Sequence, residues 1–227
     1  MTRAWQAWRA TMADMVAREG RDLQRYDERG RRLLAGSVPW RLAEAPDVQN
    51  ERNRDACQGQ KDELEVLLVS SRRGDGLVLP KGGWESDEDV LEAAKRETWE
   101  EAGVLGEAFE SLGTFTYRNK LGKARPEALE GPGSCVAHMY ACQVAEVKDA
   151  WPEQHMRQRV WCNWERALEG LKHEWMRDAL LAWKEQWEKR TKQGDTLHRN
   201  LAPSQAAKCN AEDVPPPANG KTRPKCT

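Results

Sequence analysis

Residues 82–104 read GGWESDEDVLEAAKRETWEEAGV. Two glycines open the stretch, and Gly82 and Gly83 let a backbone turn sharply and approach a ligand closely. An amphipathic helix follows, with Ser86 or Asp87 as its expected N-cap and acids in its first turn. Val90, Leu91, Ala94 and Thr98 supply an inner face, and Gly103 is the expected stop. Glu97, Glu100 and Glu101 then crowd one side, because successive residues advance by about 100°. Like charges three and four residues apart repel and destabilise a bare helix. A hard divalent cation held by carboxylate oxygens relieves that repulsion. A Mg²⁺ or Mn²⁺ site beside a glycine-rich turn points to phosphate chemistry.

The spacing carries more than a generic acidic helix would. Gly82, Glu88, Arg96-Glu97, Glu100-Glu101, Gly103 and Val104 together resemble the signature of the Nudix hydrolases. One departure is visible: Thr98 follows Arg-Glu where that family usually has an aliphatic residue, and Thr can still bury its methyl group. The resemblance implies an α/β Nudix fold, a mixed β-sheet between α-helices. It implies that Glu97 and Glu101 hold the divalent ions, helped by the backbone carbonyl of Lys81 or Gly82. Glu100 is then the candidate for orienting or deprotonating the attacking water. Glu88 and Arg96 are expected to be structural, Arg96 bracing the acidic cluster and Glu88 the loop.

Outside this stretch, the 227 residues suffice for one domain of ordinary size plus ends. Residues 1–14 read as an N-terminal extension, 15–190 as the catalytic domain with a polar insert at about 43–61, and 191–227 as a disordered tail. A net charge of −1 provides no global attraction to nucleic acid or membrane. No apolar run approaches the roughly 20 residues of a membrane span. The six cysteines form no CxxC pair and read as reduced thiols. A cytoplasmic monomer is expected, with the nucleus as another possibility. The opening MTRAWQAWRATMAD, with Arg3 and Arg9 and no acid before Asp14, resembles an organelle-targeting segment only weakly.

Coarse periodicity predicts strands at 31–40, 63–71, 77–79, 109–117, 135–145 and 159–164, and a closing helix at 174–190. Loops are expected at 43–61 and 119–134. Eleven tryptophans against two phenylalanines either fill core or flank a site.

The phrases LPKGGWE before the acidic helix and WPEQHMRQR well after it narrow the resemblance. With VLLVSSRRGDG, they resemble the diphosphoinositol polyphosphate phosphohydrolases, particularly plant-like members. That branch removes the β-phosphate of diphosphoinositol polyphosphates and cleaves diadenosine polyphosphates such as Ap5A and Ap6A. The resemblance implies substrate contacts at Arg25, Arg32, Ser70, Ser71, Arg72, Arg118, Lys120 and at Arg157 or Arg159. Separate Arg and Lys pairs suit a small-molecule ligand with more than two phosphates. Other readings are a dinucleoside polyphosphate hydrolase, a module that binds inositol pyrophosphates without cleaving them, and a Trp-rich scaffold. The loop at 121–133 and the insert at 43–61 are longer than that branch leads one to expect.

Overall fold

The computed structural model describes residues 16–18, 20–43, 64–118, 129 and 131–192. The N-terminal extension, nearly all of the polar insert, Lys120, most of the 121–133 loop and the tail after residue 192 lie outside the described residues. Residues Met1–Glu188 form one compact unit and Lys189–Thr227 a second, of which only the end of a helix is described. Among the described residues, no helix is long and apolar enough to cross a membrane.

Strand β1 (Arg32–Leu42) is the axis of the sheet. Along one side it runs parallel to β6 (Ser134–Val147), with Arg32 opposite Cys135 and Trp40 opposite Gln143. Its other side is shared. The first half pairs antiparallel with β4 (Lys81–Gly83), and the end pairs antiparallel with β2 (Leu64–Ser70). Outward from β2 lie β3 (Leu77–Val78) and β7 (Arg159–Asn163), and β5 (Val104–Arg118) pairs antiparallel with β6. One parallel pair among antiparallel ones makes the sheet mixed, as the resemblance implied.

Side chains alternate across a strand, so β1 feeds two layers. Ala35 packs with Ala93 and Ala94 of helix α1 (Val90–Ala102). On the same face, the Ser37 hydroxyl meets that of Thr98 at 2.6 Å. Leu34, Val38 and Trp40 point the other way, into the main core. There they join Trp175, Met176, Ala179, Leu180 and Trp183 of helix α3 (Glu174–Lys192). Full burial of each such large side chain contributes about 1.5–3 kcal/mol. Thr98 costs nothing in satisfaction, since its hydroxyl also donates to Ala94 O at 2.6 Å.

The tryptophans settle the choice between core and site for several positions. Trp40, Trp183 and Trp187 form a cluster with ring centroids 4.9–6.2 Å apart, and Trp164 adds to Trp183 at 5.8 Å. Such offset and edge contacts add to area burial. Trp175 stacks on Tyr117 at 4.5 Å.

Three expectations need correction. Helix α1 is capped by Asp89, not Ser86 or Asp87. Asp89 Oδ1 accepts from Glu92 N (2.7 Å) while Glu92 Oε2 accepts from Asp89 N (2.9 Å), a reciprocal capping box. Ser86 and Asp87 serve the preceding turn, where Ser86 N donates to Leu23 O and Asp87 pairs with Arg18. Strand β5 starts at Val104 rather than at 109. Register shifts at Leu105/Gly106 and Gly106/Ala108 break the alternation of its first residues, so the period of two is legible only beyond them. A short helix, α2 (Trp164–Gly170), was not expected at all; Asn163 caps it, its side chain accepting from Arg166 N at 3.1 Å.

Candidate active site

Gly103 ends helix α1 in the left-handed region (φ 62°), and its N–H donates to Trp99 O at 2.9 Å. The chain therefore reverses immediately after Glu100 and Glu101. Both carboxylates stay at the last turn, against β4 and the 151–157 turn. All three glutamates are buried, at 8% exposure for Glu97, 3% for Glu100 and 4% for Glu101.

Arg96 organises the cluster and is itself 2% exposed. Its Nε donates to Glu88 Oε2 (2.9 Å) and its Nη2 to Glu88 Oε1 (2.7 Å), a two-pronged grip. Nη2 also reaches Gly83 O (2.8 Å), and Nη1 donates to Glu97 Oε1 (2.8 Å) and Glu100 Oε2 (3.3 Å). Glu88 in turn accepts from Glu85 N at 3.1 Å, which fixes the loop before the helix. The bracing expected of Arg96 and Glu88 corresponds to these contacts.

Glu101 faces a different partner. Its Oε2 accepts from Lys81 N at 3.1 Å, and its Oε1 accepts from Arg157 Nη2. Arg157 also donates to Glu153 Oε2 (2.9 Å) and to Ser70 O (2.9 Å). Glu153, 3% exposed, adds a fourth buried carboxylate, and its N–H donates to Glu100 O at 3.0 Å. The sequence reading passed over Glu153, although it lies inside the phrase WPEQHMRQR. A single acid in a turn has no periodic signal.

Burial drives the titration of this cluster. Desolvation raises the Glu97 and Glu101 carboxyls above their ordinary range, against the pull of Arg96 on one and of Lys81 and Arg157 on the other. Glu100 is pushed up to about 7, first by desolvation, with Arg96 opposing. A carboxyl near neutrality can exchange a proton with water at working pH.

The donors are the hard oxygens that a divalent cation takes. Among the described residues, no three carboxylate, imidazole or thiol groups converge as a ready-made cage. Instead, Glu97 and Glu100 are turned onto Arg96, and Glu101 onto Arg157. A second observation does fit a cation. A Cβ built on Gly82 would stand 2.1 Å from Glu97 Oε2, so the bare Gly82 backbone lies directly against that carboxylate. Glu97, Glu101 and a backbone oxygen of Lys81 or Gly82 in β4 are the groups that could hold Mg²⁺ or Mn²⁺, with Glu100 beside them.

These groups line an open cavity of about 980 Å³. Arg18, Arg21, Arg32, Arg72, Lys81 and Arg157 bring positive charge to it, and Ser71 also lines it. Arg18 and Arg21 were not singled out individually by the sequence. Arg18 N donates to Glu100 Oε1 (3.3 Å), and its guanidinium pairs with Glu85 and Asp87 at 2.6 and 2.9 Å.

Other expected contacts sit elsewhere. Arg25 donates to the carbonyls of Glu85 (2.9 Å) and Ser86 (2.8 Å) and lies over the Trp84 ring, which makes it a brace of the loop. Arg159 donates to Lys148 O (2.8 Å) and covers the Trp151 ring at 3.9 Å. Of the Arg157/Arg159 pair, the cavity therefore takes Arg157. Ser70 turns its hydroxyl to Gln158 N at 2.9 Å, and neither it nor Arg118 lines the cavity.

Comparison with known proteins identifies the family. A model of the Nudix domain matches residues 55–183. Nudix hydrolase 16, mitochondrial, of Arabidopsis thaliana is 42% identical over 178 residues, which cover 78% of this chain and 93% of the relative. Nudix hydrolase 13, mitochondrial, of the same plant is 44% identical over 170 residues, or 74% of this chain and 81% of the relative. A Caenorhabditis elegans Ap4A hydrolase structure aligns with a TM-score of 0.44 at 20% identity, covering 69% of this chain and 98% of that one. The plant relatives are mitochondrial by name, and that finding overturns the cytoplasmic expectation. A domain match over more than half the chain, and plant relatives above 40% identity along most of their length, make this protein a member of the Nudix hydrolases, enzymes that act on phosphoanhydride substrates.

Proposed function

We propose that the chain is a divalent-metal-dependent hydrolase that removes the β-phosphate of diphosphoinositol polyphosphates and cleaves diadenosine polyphosphates such as Ap5A and Ap6A. The observation that carries this reading is the cavity. Its floor is the acidic end of α1, and its walls bring six cationic side chains from separate parts of the chain. Arg18, Arg72 and Arg157 already meet carboxylates, whereas Arg21, Arg32 and Lys81 form no ion pair among the described residues and would meet several phosphates of a compact polyphosphate at once.

A divalent cation held by Glu97 and Glu101 would supply neutralisation of phosphate charge and lower the cost of forming the nucleophile. The protein's own residues do the rest. Glu100 orients the attacking water and accepts its proton. Arg96 keeps Glu97 and Glu100 side by side despite their repulsion. Arg32, Arg72 and Lys81 hold the outlying phosphates so that the scissile linkage lies over the acidic helix, which converts binding into orientation.

A phosphate-release panel tests this reading, using Mg²⁺ and Mn²⁺ with a diphosphoinositol polyphosphate, Ap5A, Ap6A, ADP-ribose and NADH. Turnover of the first three is expected, with loss on chelation. Turnover of ADP-ribose or NADH alone would replace the substrate assignment. The plant relatives' names also support an organellar location, for which residues 1–14 would act as the address; a fluorescent fusion with and without those residues tests it.

A further inference from the structure

We propose that Glu153 is a positioning residue that holds Arg72 out as a phosphate-binding arm of the cavity. The inference rests on the polyphosphate reading above and names one part of that recognition. Arg72 follows β2, and its side chain is 62% exposed. Left alone, such a side chain would sample many rotamers and meet a ligand at an entropic cost. Its Nη2 instead donates to Glu153 Oε1, and among the described residues this is its one hydrogen-bond partner. The remaining guanidinium donors are uncommitted beside the cavity that Arg72 lines.

Glu153 is itself held from several sides. Its second oxygen accepts from Arg157 Nε at 2.9 Å, and its backbone O accepts from Met156 N and Arg157 N at 2.9 Å each. Its N–H is tied to Glu100 O. Arg157 reaches Ser70 O at 2.9 Å, so Glu153 and Arg157 clamp both ends of the 70–72 segment. Arg157 also meets Glu101, so two carboxylates and two guanidinium groups form one chain of ion pairs that ends at Arg72. Within that chain Arg72 is exposed and Glu153 buried, so the guanidinium end faces the solvent and the carboxylate does not.

The test uses inositol hexakisphosphate, a polyanion with no phosphoanhydride to cleave, titrated calorimetrically with chelator and with Mg²⁺. Arg72→Ala and Glu153→Gln are each expected to weaken binding about tenfold, and the double variant to be no more than about threefold worse than either, since both remove one arm. In turnover assays Glu153→Gln should raise KM far more than it lowers kcat. Mn²⁺ affinity of the ligand-free protein should stay within about threefold of wild type. Unchanged hexakisphosphate binding in Glu153→Gln, additive losses in the double variant, or a parallel loss of Mn²⁺ affinity each overturns the proposal. Wild-type protein that binds no hexakisphosphate in either buffer overturns the polyphosphate reading along with it; binding that Glu153→Gln leaves intact overturns this one alone. Should Glu153→Gln fail to fold, Glu153→Asp keeps the charge but shortens the reach, and it is expected to weaken the same probe while sparing Mn²⁺.

Discussion

The Glu97 carboxylate fills the space that a side chain at residue 82 would need. A Cβ on Gly82 would lie 2.1 Å from Glu97 Oε2 and 2.2 Å from its Cδ and Oε1. The far end of a side chain can usually swing aside, but this one is buried and held by Arg96. Gly82→Ala is therefore expected to displace Glu97 while leaving the sheet intact. The strain should cost about 1–3 kcal/mol, or several degrees of melting temperature. Turnover should fall about 100-fold or more, with Mn²⁺ affinity falling alongside. Calorimetric Mn²⁺ titration and a melting curve check both halves. Normal Mn²⁺ affinity in that variant would remove Glu97 from the metal site.

Burial of the acidic cluster also sets a pH dependence of stability. Desolvation raises Glu97, Glu100 and Glu101, with Glu100 at about 7 against an ordinary value of 4.5. A carboxyl with a higher folded than unfolded pKa binds its proton more tightly in the native state. The native state then carries more protons between those values, and stability falls as pH rises through that window. In chelator, the melting temperature should decline from about pH 4.5 until Glu97 has ionised as well, at about 8, and level off above. Saturating Mg²⁺, which requires the ionised carboxylates, should flatten or reverse that decline. At 100 times its dissociation constant it contributes about 2.7 kcal/mol. A chelated protein whose stability rises steadily from pH 5 to 8 would contradict the burial argument.

Glu100→Gln keeps the volume, and its amide oxygen can accept from Arg96 Nη1 or Arg18 N but not from both, and it cannot take a proton. The fold should survive, and kcat should fall about 10²- to 10⁴-fold. The wild-type acid limb in the pH profile of kcat/KM should disappear with it. Near-normal turnover would remove Glu100 from the mechanism and move the base to another group.

Arg96 offers a sharper stability test. It is 2% exposed and divides its donors among Glu88, Gly83 O, Glu97 and Glu100. Arg96→Met would bury those carboxylates without a counter-charge, and breaking such pairs typically costs about 3–5 kcal/mol. Arg96→Lys keeps the charge but loses the fork, so it should recover only part of the loss. Chemical denaturation in chelator separates these variants. Equal stability of Arg96→Lys and wild type would show that charge alone matters.

What could be read from the chain follows the range of each signal. Gly103, the acidic face of α1 and the central strands were legible because each is a local pattern set by backbone geometry or period. Arg96 and Glu88 were legible as braces because eight residues on one helix approach place them within reach. Glu153 was not, since its role appears only when the turn at 151–157 folds back onto the end of α1. The separation of Arg157 from Arg159, two residues apart on an irregular segment, depends equally on tertiary placement: one meets Glu101, the other Lys148 O. Cationic residues in general mislead, because a guanidinium satisfies backbone carbonyls, as Arg25 does, as readily as phosphates.

Thr98, the one residue at odds with the family's usual aliphatic choice, gives a prediction that involves no ligand. Its hydroxyl donates to Ala94 O, which leaves its oxygen to accept from Ser37, both residues being fully buried. The two positions are therefore unequal. Ser37→Ala removes a donor and leaves Thr98 satisfied, so it should cost less than about 1 kcal/mol. Thr98→Val strands the Ser37 hydroxyl in the interior and should cost about 1–3 kcal/mol. Combining the two removes the stranded group, so the double variant should be more stable than Thr98→Val alone. Denaturant melts of the four proteins form a double-mutant cycle that measures the coupling. Additive losses would mean that the 2.6 Å contact contributes nothing, and that Thr98 is retained for its methyl group alone.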